Sequence, residues 1–198
     1  MRDGRSSATI FCTAWLAVAT PIGAGAQNNV APADVPAGAV DDRRLLAAAA
    51  ADGDWLTFGR DYSNQRFAPL QAIDRSNVAR LAPAWTYRLG TAGSTQTHPL
   101  VVGGVMYVSM PGNDVAALDA ATGSEIWRYS HQMRGALPRA PSNRGVAVAY
   151  GRVFEATDDA RVIALDQATG KLVWDKVVAP FDPSAPVPAG EKSPTFNS

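Results

Sequence analysis

Residues 104–127 read GVMYVSMPGNDVAALDAATGSEIW, and residues 151–174 read GRVFEATDDARVIALDQATGKLVW. The two stretches align without a gap at a constant offset of 47 residues, from Gly104 to Gly151 and from Trp127 to Trp174. The positions repeated 47 residues later include Ala117, Leu118, Asp119, Ala121, Thr122, Gly123 and Trp127. A period of this length is typical of proteins built from stacked structural units.

Each copy predicts short strands joined by turns. In the first copy, 105–110 alternates aliphatic with small or polar residues, 115–119 is a short apolar run, and 124–129 carries Ile126 and Trp127. The turn over 120–123 ends in a glycine, which is free to adopt positive φ. The pattern predicts a meander of about four strands per unit, as in propeller blades. We expect the repeated tryptophan to pack between neighbouring units.

The pattern Ala-x-Asp-x-x-x-Gly-x-x-x-Trp occurs at 117–127 and again at 164–174. It resembles the tryptophan-docking motif of quinoprotein dehydrogenases, which are eight-bladed β-propellers that use pyrroloquinoline quinone (PQQ). The resemblance implies an all-β fold of the eight-bladed quinoprotein type, with only about two blades plus an N-terminal closing strand present in this chain.

A second stretch supports the same resemblance. Residues 54–70 read DWLTFGRDYSNQRFAPL, a polar, turn-rich segment with three aromatic anchors. It resembles the N-terminal signature of PQQ alcohol dehydrogenases, Gly-Arg-x-x-x-x-Gln-Arg-Phe-x-Pro-Leu. In that family the strand that follows closes the ring, so we expect a strand to begin over 81–87, after a short helix over 75–81 capped by Asp74.

The N-terminus has the pattern of a secretory signal. Arg2 and Arg5 precede an apolar run over 8–19, and Ala-Gly-Ala at 24–26 resembles a cleavage site. We expect residues 1–26 to be a signal peptide, so that the mature chain starts at Gln27 in the periplasm without a transmembrane segment. The single cysteine, Cys12, lies inside this signal, so the mature chain would have no disulfide.

The rest of the chain divides by composition. Residues 27–54 form a loose leader and a short helix over 43–51, with Asp41 and Asp42 at its start. Residues 55–176 form the partial propeller, and 177–198 form a Pro-rich tail. The 18 basic residues balance 18 acidic ones without a basic stripe, which argues against nucleic acid as a partner.

The resemblance implies two cofactor-binding residues. Gln96, in Gln96-Thr97-His98-Pro99, stands where the family has the Glu of Glu-x-Thr-Pro, which hydrogen-bonds PQQ. Arg144 corresponds to the family arginine that pairs with a PQQ carboxylate, a geometry that suits a guanidinium. The alternatives are a polar residue at the start of a strand for Gln96, and a surface or inter-blade salt bridge for Arg144.

This sequence departs from the family around Arg144. Residues 138–147 read PRAPSNRGVA, where the family commonly has Cys-Cys-Gly-x-x-Asn-Arg-Gly-Val-Ala. Pro138 and Arg139 take the places of the adjacent cysteines whose disulfide stacks on PQQ in many members. His98 has no second ligand at metal spacing, and we expect no metal role for it. Thr157–Ala160 is expected to be a turn in which Asp159 accepts from local amides, and His131 shows no partner pattern.

In the family, later blades supply the Ca²⁺ ligands and the catalytic Asp. We therefore expect an N-terminal fragment with no catalytic or metal residues of its own, inactive alone. In the complete relatives an alcohol is oxidised with PQQ and Ca²⁺, and the electrons pass to a cytochrome. The alternative is a non-enzymatic scaffold like the outer-membrane assembly lipoprotein propellers. Such lipoproteins carry a lipobox cysteine at the cleavage site, whereas Cys12 lies too early.

Overall fold

The computed structural model of the chain describes residues 38–50, 53–90, 95–134 and 143–180. The predicted signal peptide with Cys12 lies outside these ranges. So do the first part of the leader, positions 138–140 that replace the family cysteines and glycine, and the tail from residue 181.

Two four-stranded antiparallel meanders make up the fold, as the repeat predicts. The first sheet contains β1 (Leu100–Val102), β2 (Val105–Met110), β3 (Asp114–Asp119) and β4 (Glu125–Tyr129). The second contains β5 (Ala147–Ala149), β6 (Arg152–Thr157), β7 (Arg161–Asp166) and β8 (Leu172–Val177). β8 extends one residue into the segment predicted as a tail. The all-β prediction is confirmed, and a bulge falls at the same repeat position in both sheets, after Ala117 and after Ala164.

The shared Asp-x-x-Thr-Gly sequence forms the turn between the third and fourth strand of each sheet. The Asp119 carboxylate accepts from the Thr122 N–H at 2.8 Å, and Asp166 accepts from the Thr169 N–H at 3.0 Å. The glycine that follows has positive φ in both copies, +72° at Gly123 and +69° in the second copy. A residue with a Cβ is strained in this region, so the turn depends on glycine.

The main core lies between the two sheets. Alternating side chains of the first sheet face the second sheet, because successive residues of a strand point to opposite faces. The buried residues of this core include Leu100, Val102, Tyr107, Val115, Ala117 and Trp127 from the first sheet, and Val148, Val153, Ile163 and Leu165 from the second. The opposite face of the first sheet buries Val108, Met110, Ala116 and Leu118 against Trp85, Tyr87 and Leu89.

The N-terminal segment connects both sheets. Helix α1 spans Asp42–Leu46, followed by a 3-10 helix over Ala48–Ala50, which together replace the single predicted helix over 43–51. Asp41 caps α1 by accepting from the Arg44 N–H at 2.7 Å. The Val40 carbonyl accepts from the Tyr150 N–H of the second sheet, and Trp55 forms a β-bridge with Val101 of β1.

Two predictions about 75–87 differ from the structure. Within 75–81 only Val78–Arg80 is helical, as a 3-10 helix. The strand expected to begin over 81–87 is not formed, because no strand of the described residues lies beside it to supply ladder hydrogen bonds. Trp85 instead packs on the first sheet, where its Nε1 donates to the Ala120 carbonyl at 3.2 Å.

Candidate functional site

A cavity of about 430 Å³ opens at the start of the first strand of each sheet. Its lining is mostly apolar and consists of Phe58, His98, Leu100, Arg144, Gly145 and Val146. Three separate parts of the chain therefore contribute: the N-terminal signature, the segment before β1 and the segment before β5. Pockets that bind small molecules commonly combine such an apolar wall with a few polar groups.

A backbone hydrogen bond joins the segment around His98 to the segment around Arg144. The His98 N–H donates to the Arg144 carbonyl at 2.9 Å. The His98 Nδ1 lies 3.0 Å from the same oxygen, a contact that requires the ring proton on Nδ1. A Cβ built on Gly145 would lie 3.0 Å from the His98 carbonyl oxygen, and Gly145 has a φ of +136°. Only glycine therefore allows this close approach without strain.

Asn143 anchors the segment that carries Arg144 to the second sheet. It is buried, and its Nδ2 donates to the Ala156 carbonyl of β6 at 3.0 Å. Its Oδ1 accepts from the Gly145 N–H at 2.8 Å. Because both ends of the amide are used, the turn that presents Arg144 is anchored to the second sheet.

The N-terminal signature supplies the aromatic wall. The rings of Phe58 and His98 meet edge to face with centroids 4.2 Å apart. The Arg66 guanidinium carbon lies over the Phe58 ring, 4.0 Å from the ring centroid, which is a cation–π contact. Arg60 is buried behind this wall and donates to the Phe67 carbonyl at 2.9 Å, so its role in the signature is structural.

The two predicted cofactor residues are placed differently. Arg144 is exposed and lines the cavity. Gln96 is also exposed, two residues before His98, but it is not part of the cavity lining. The neighbouring Thr97 has a structural contact, since its hydroxyl accepts from the Ser109 N–H at 3.1 Å. The assignment of both residues to PQQ stays a prediction.

A second polar group lies between the sheets, and it corrects the prediction that Asp159 accepts from local amides. His131 has a partner: its Nε2 lies 3.0 Å from the Asp159 carboxylate, and both side chains are buried. Asp159 also accepts from the Thr157 hydroxyl at 2.6 Å and from the Arg134 N–H at 3.2 Å. The contact joins the end of β4 to the β6–β7 turn. It was missed because the partner lies 28 residues away in sequence and in the other sheet.

Asp159 is held ionised by these contacts. Burial acts to raise the pKa of its carboxyl, but the hydrogen bonds from Thr157 and His131 outweigh burial. The pKa of Asp159 is therefore lowered below its ordinary value. Within 38–50, 53–90, 95–134 and 143–180, no three or more Asp, Glu, His or Cys side chains are grouped so that they could hold a metal ion.

None of the helices described is long and apolar enough to cross a membrane.

The model of the PQQ glucose/ethanol/alcohol dehydrogenase β-propeller domain matches residues 55–175. The chain belongs to this family. The match covers both sheets and the N-terminal signature, which agrees with the quinoprotein resemblance of the two repeats.

Members of the PQQ dehydrogenase family similar to this chain are much longer. Quinohemoprotein alcohol dehydrogenase ADH IIB of Pseudomonas putida is 41% identical over 154 residues, which are 76% of this chain and 22% of the relative. The dehydrogenase subunit of a quinone alcohol dehydrogenase from Gluconobacter oxydans is 43% identical over 132 residues, 65% of this chain and 17% of that protein. The chain thus spans about a fifth of these relatives.

A solved family structure has the same fold over the shared part. The crystal structure of quinohemoprotein alcohol dehydrogenase from Comamonas testosteroni matches with a TM-score of 0.66 and 40% identity. The match covers 70% of this chain and 21% of that protein.

Sequence reasoning missed Phe58, His98 and Asn143 as parts of the candidate site. Phe58 was interpreted only as one of the aromatic anchors of the N-terminal signature, and for His98 we expected only that it has no metal role. Asn143 had two usable signals: it matches the Asn of the family Asn-Arg-Gly-Val-Ala stretch, and it occupies the repeat position of Gln96, 47 residues later. Each of these polar residues lies four residues before the first strand of its sheet, which points to a shared position.

Proposed function

We propose that this chain forms the N-terminal part of a PQQ-dependent alcohol dehydrogenase and that Arg144 holds a carboxylate of the cofactor. The observation that carries the proposal is the position of Arg144, on the cavity where the first strands of two PQQ-family blades begin. A guanidinium offers a planar pair of donors that matches a carboxylate, which makes Arg144 the specific contact.

The residues around Arg144 fit a flat anionic ligand. Phe58 and His98 form an aromatic wall, and the Asn143 anchor presents the arginine from a fixed turn. Gln96, before β1, offers an amide that can donate to a second oxygen of the ligand. PQQ supplies the redox chemistry when bound, and this chain contributes binding and orientation.

We further propose that the chain does not oxidise alcohols by itself. The lining of the described cavity contains Arg144 and His98 but no carboxylate. In our proposal the proton-accepting carboxylate and the Ca²⁺ ligands belong to the remaining part of the enzyme. The acceptor of the electrons is proposed to be a cytochrome, which the name quinohemoprotein of the Pseudomonas putida and Comamonas testosteroni relatives supports.

Binding of PQQ to the purified chain tests the role of Arg144. Tryptophan fluorescence is titrated with PQQ for the parent chain, for Arg144→Gln and for the control Arg80→Gln, which changes an exposed arginine in a 3-10 helix away from the cavity. Loss of a charge-assisted hydrogen bond of about 1.5–3 kcal/mol should weaken binding by roughly 10- to 150-fold in Arg144→Gln only.

Equal weakening in both variants, or none in either, would contradict the assignment. A separate assay supplies PQQ, Ca²⁺, ethanol and a dye acceptor to the parent chain. We expect no turnover, and measurable turnover would show that the chain is active alone.

We also propose that the chain is exported to the periplasm, with residues 1–26 removed. The supporting observation is the basic, apolar and small-residue order of the N-terminus. Intact-mass measurement of the product in a periplasmic extract should give a chain starting at Gln27. A product that keeps Met1 to Ala26 and stays in the cytoplasm would refute this proposal.

A further inference from the structure

Glu155 is a buried carboxylic acid whose surroundings do not stabilise its ionised form. It lies in the middle of β6, opposite Ile163 of β7, and only 2% of its surface is exposed. Neither carboxylate oxygen has a hydrogen-bond partner among the described residues. The same position of the first sheet, 47 residues earlier, is Val108, a buried apolar residue.

The charges around Glu155 do not compensate it. The charged groups that act on it are two further carboxylates, Asp114 of β3 and Asp158 of the β6–β7 turn. The basic side chains in this region have partners of their own. Arg161 binds Asp175 of β8 through two nitrogens, each 2.6 Å from a carboxylate oxygen, and His131 contacts Asp159. The titratable groups that face this part of the inter-sheet space are Asp114, Tyr129, His131, Asp158, Asp159, Arg161 and Asp175.

An ionised carboxylate in this position would be very costly. Burying an unpaired charge is so unfavourable that such groups usually become neutral instead. Burial raises the pKa of Glu155 well above its ordinary value, and the negative charges of Asp114 and Asp158 raise it further. A proton removes the charge without requiring any rearrangement of the two sheets.

We propose that Glu155 is a proton-binding site of the folded chain, held as a neutral carboxylic acid, and that its ionisation loosens the contact between the two sheets. Ionisation would also affect the cavity, because the next residue, Ala156, accepts the hydrogen bond that anchors Asn143 beside Arg144. The proton at Glu155 thus stabilises both the inter-sheet core and the turn that presents Arg144.

The sign of the pH dependence follows from the raised pKa. When the pKa of a carboxyl group is higher in the folded than in the unfolded chain, the group stabilises the folded chain fully at pH values below its pKa in the unfolded chain. For glutamate that unfolded pKa is about 4.3. That stability is lost as pH rises through the folded pKa. Between the unfolded and the folded pKa, the unfolding constant should increase by up to about tenfold per pH unit. That is the largest slope possible when unfolding releases one proton.

Carboxyl-labelled glutamate gives a direct test in the unaltered chain. The sequence contains three glutamates, Glu125, Glu155 and Glu191, so a chain labelled with carboxyl-¹³C glutamate shows three signals. Glu125→Gln identifies the signal of the exposed Glu125 on β4. We expect the Glu125 signal to titrate below the ordinary glutamate pKa and one of the other two signals to titrate well above it. Three signals that all titrate in the acid range would overturn the proposal.

Urea unfolding between pH 5 and 9 tests the link to stability. The midpoint of the parent chain should fall as pH rises, whereas Glu155→Gln, which keeps the shape without an ionisable group, should lack this fall. Glu125→Gln is the matched control and should keep the parent profile. A Glu155→Gln profile parallel to that of the parent, or a parent midpoint that does not change with pH, would contradict the proposal.

Discussion

The indole ring of Trp127 lies directly against the backbone of Gly170, at the turn before β8. A Cβ built on Gly170 would come within 2.5 Å of the ring, and Trp127 Nε1 donates to the Gln167 carbonyl at 3.1 Å. Trp85 makes the same pair of contacts one unit earlier, with Gly123 and the Ala120 carbonyl. The docking of tryptophan on glycine therefore occurs twice among the described residues.

Substitution of Gly170 tests this contact. Gly170→Ala should destabilise the chain by about 2–4 kcal/mol, because the methyl group overlaps the Trp127 ring and the backbone has a φ of +69°. Gly104→Ala is the control, since its φ is +81° but no atom lies within 4 Å of the added Cβ. It should lose only the roughly 1 kcal/mol of backbone strain. Urea unfolding measures the free energy of unfolding of both variants. Equal losses of stability would show that the Trp127 ring shifts to accommodate the added methyl group at little cost.

The two repeat tryptophans should differ in their contribution to stability. Trp127 is 9% exposed between the sheets, whereas Trp174, at the equivalent position of β8, is 37% exposed. Trp127→Ala should cost about 3–5 kcal/mol, the usual range for a buried aromatic residue. Trp174→Ala should cost less than half of that. Chemical unfolding of the two variants checks the order, and a larger loss for Trp174→Ala would contradict the inter-sheet packing.

The Asp159–His131 contact predicts a pH dependence opposite in sign to that of Glu155. Since the pKa of Asp159 is lowered in the folded chain, its stability is present above the unfolded value of about 3.9 and is lost as pH falls through the folded pKa. Asp159→Asn should cost roughly 1–3 kcal/mol at pH 7, because buried hydrogen bonds to the carboxylate are weakened.

The difference between Asp159→Asn and the parent chain should start to shrink as pH falls below about 4, where the unfolded chain takes up the proton, and should be lost only below the lowered folded pKa of Asp159. Asp74→Asn, in an exposed turn, serves as the comparison and should shift the midpoint less than Asp159→Asn does, because its hydrogen bonds to Ser76 are exposed. Urea midpoints from pH 3 to 7 provide the comparison. A difference that stays constant with pH would show that the carboxylate charge is not what stabilises the contact.

Asn143 should be more important for stability than its repeat counterpart. Asn143→Ala leaves the Ala156 carbonyl and the Gly145 N–H without their partner, at a cost of about 1–3 kcal/mol. Gln96→Ala changes the equivalent exposed position of the first copy and should be nearly neutral. Hydrogen exchange at the Gly145 amide measures the effect locally. Unchanged protection in Asn143→Ala would mean that the turn is held by other contacts.

The blade pattern was predictable from local sequence. Alternation along 105–110 and the turn glycine at Gly123 indicate strands and their connections within a few residues, and the structure has them there. The prediction of a strand over 81–87 was wrong, because it depended on a neighbouring strand and not on local sequence. A strand is defined by the hydrogen bonds of a neighbour, and local sequence cannot show whether that neighbour is present.

The candidate site was predictable only in part. Arg144 followed from a motif, and the structure places it on a cavity. Phe58 and His98 come together from segments 40 residues apart, a contact that neither segment shows by itself. Glu155 stands out in the sequence only by comparison with Val108, and nothing in that comparison shows how deeply the side chain is buried.

The repeat, the strands of both sheets, their turns and the family could be predicted from the sequence, because each depends on residues close together in the chain or on a recurring spacing. The pairing of charges, and the polar groups left without partners, could be seen only in the folded structure. His131 finds Asp159, and Glu155 finds no donor among the described residues, because these outcomes depend on how two separate sheets face each other. The energy of a charge depends on that three-dimensional environment and not on its place in the chain.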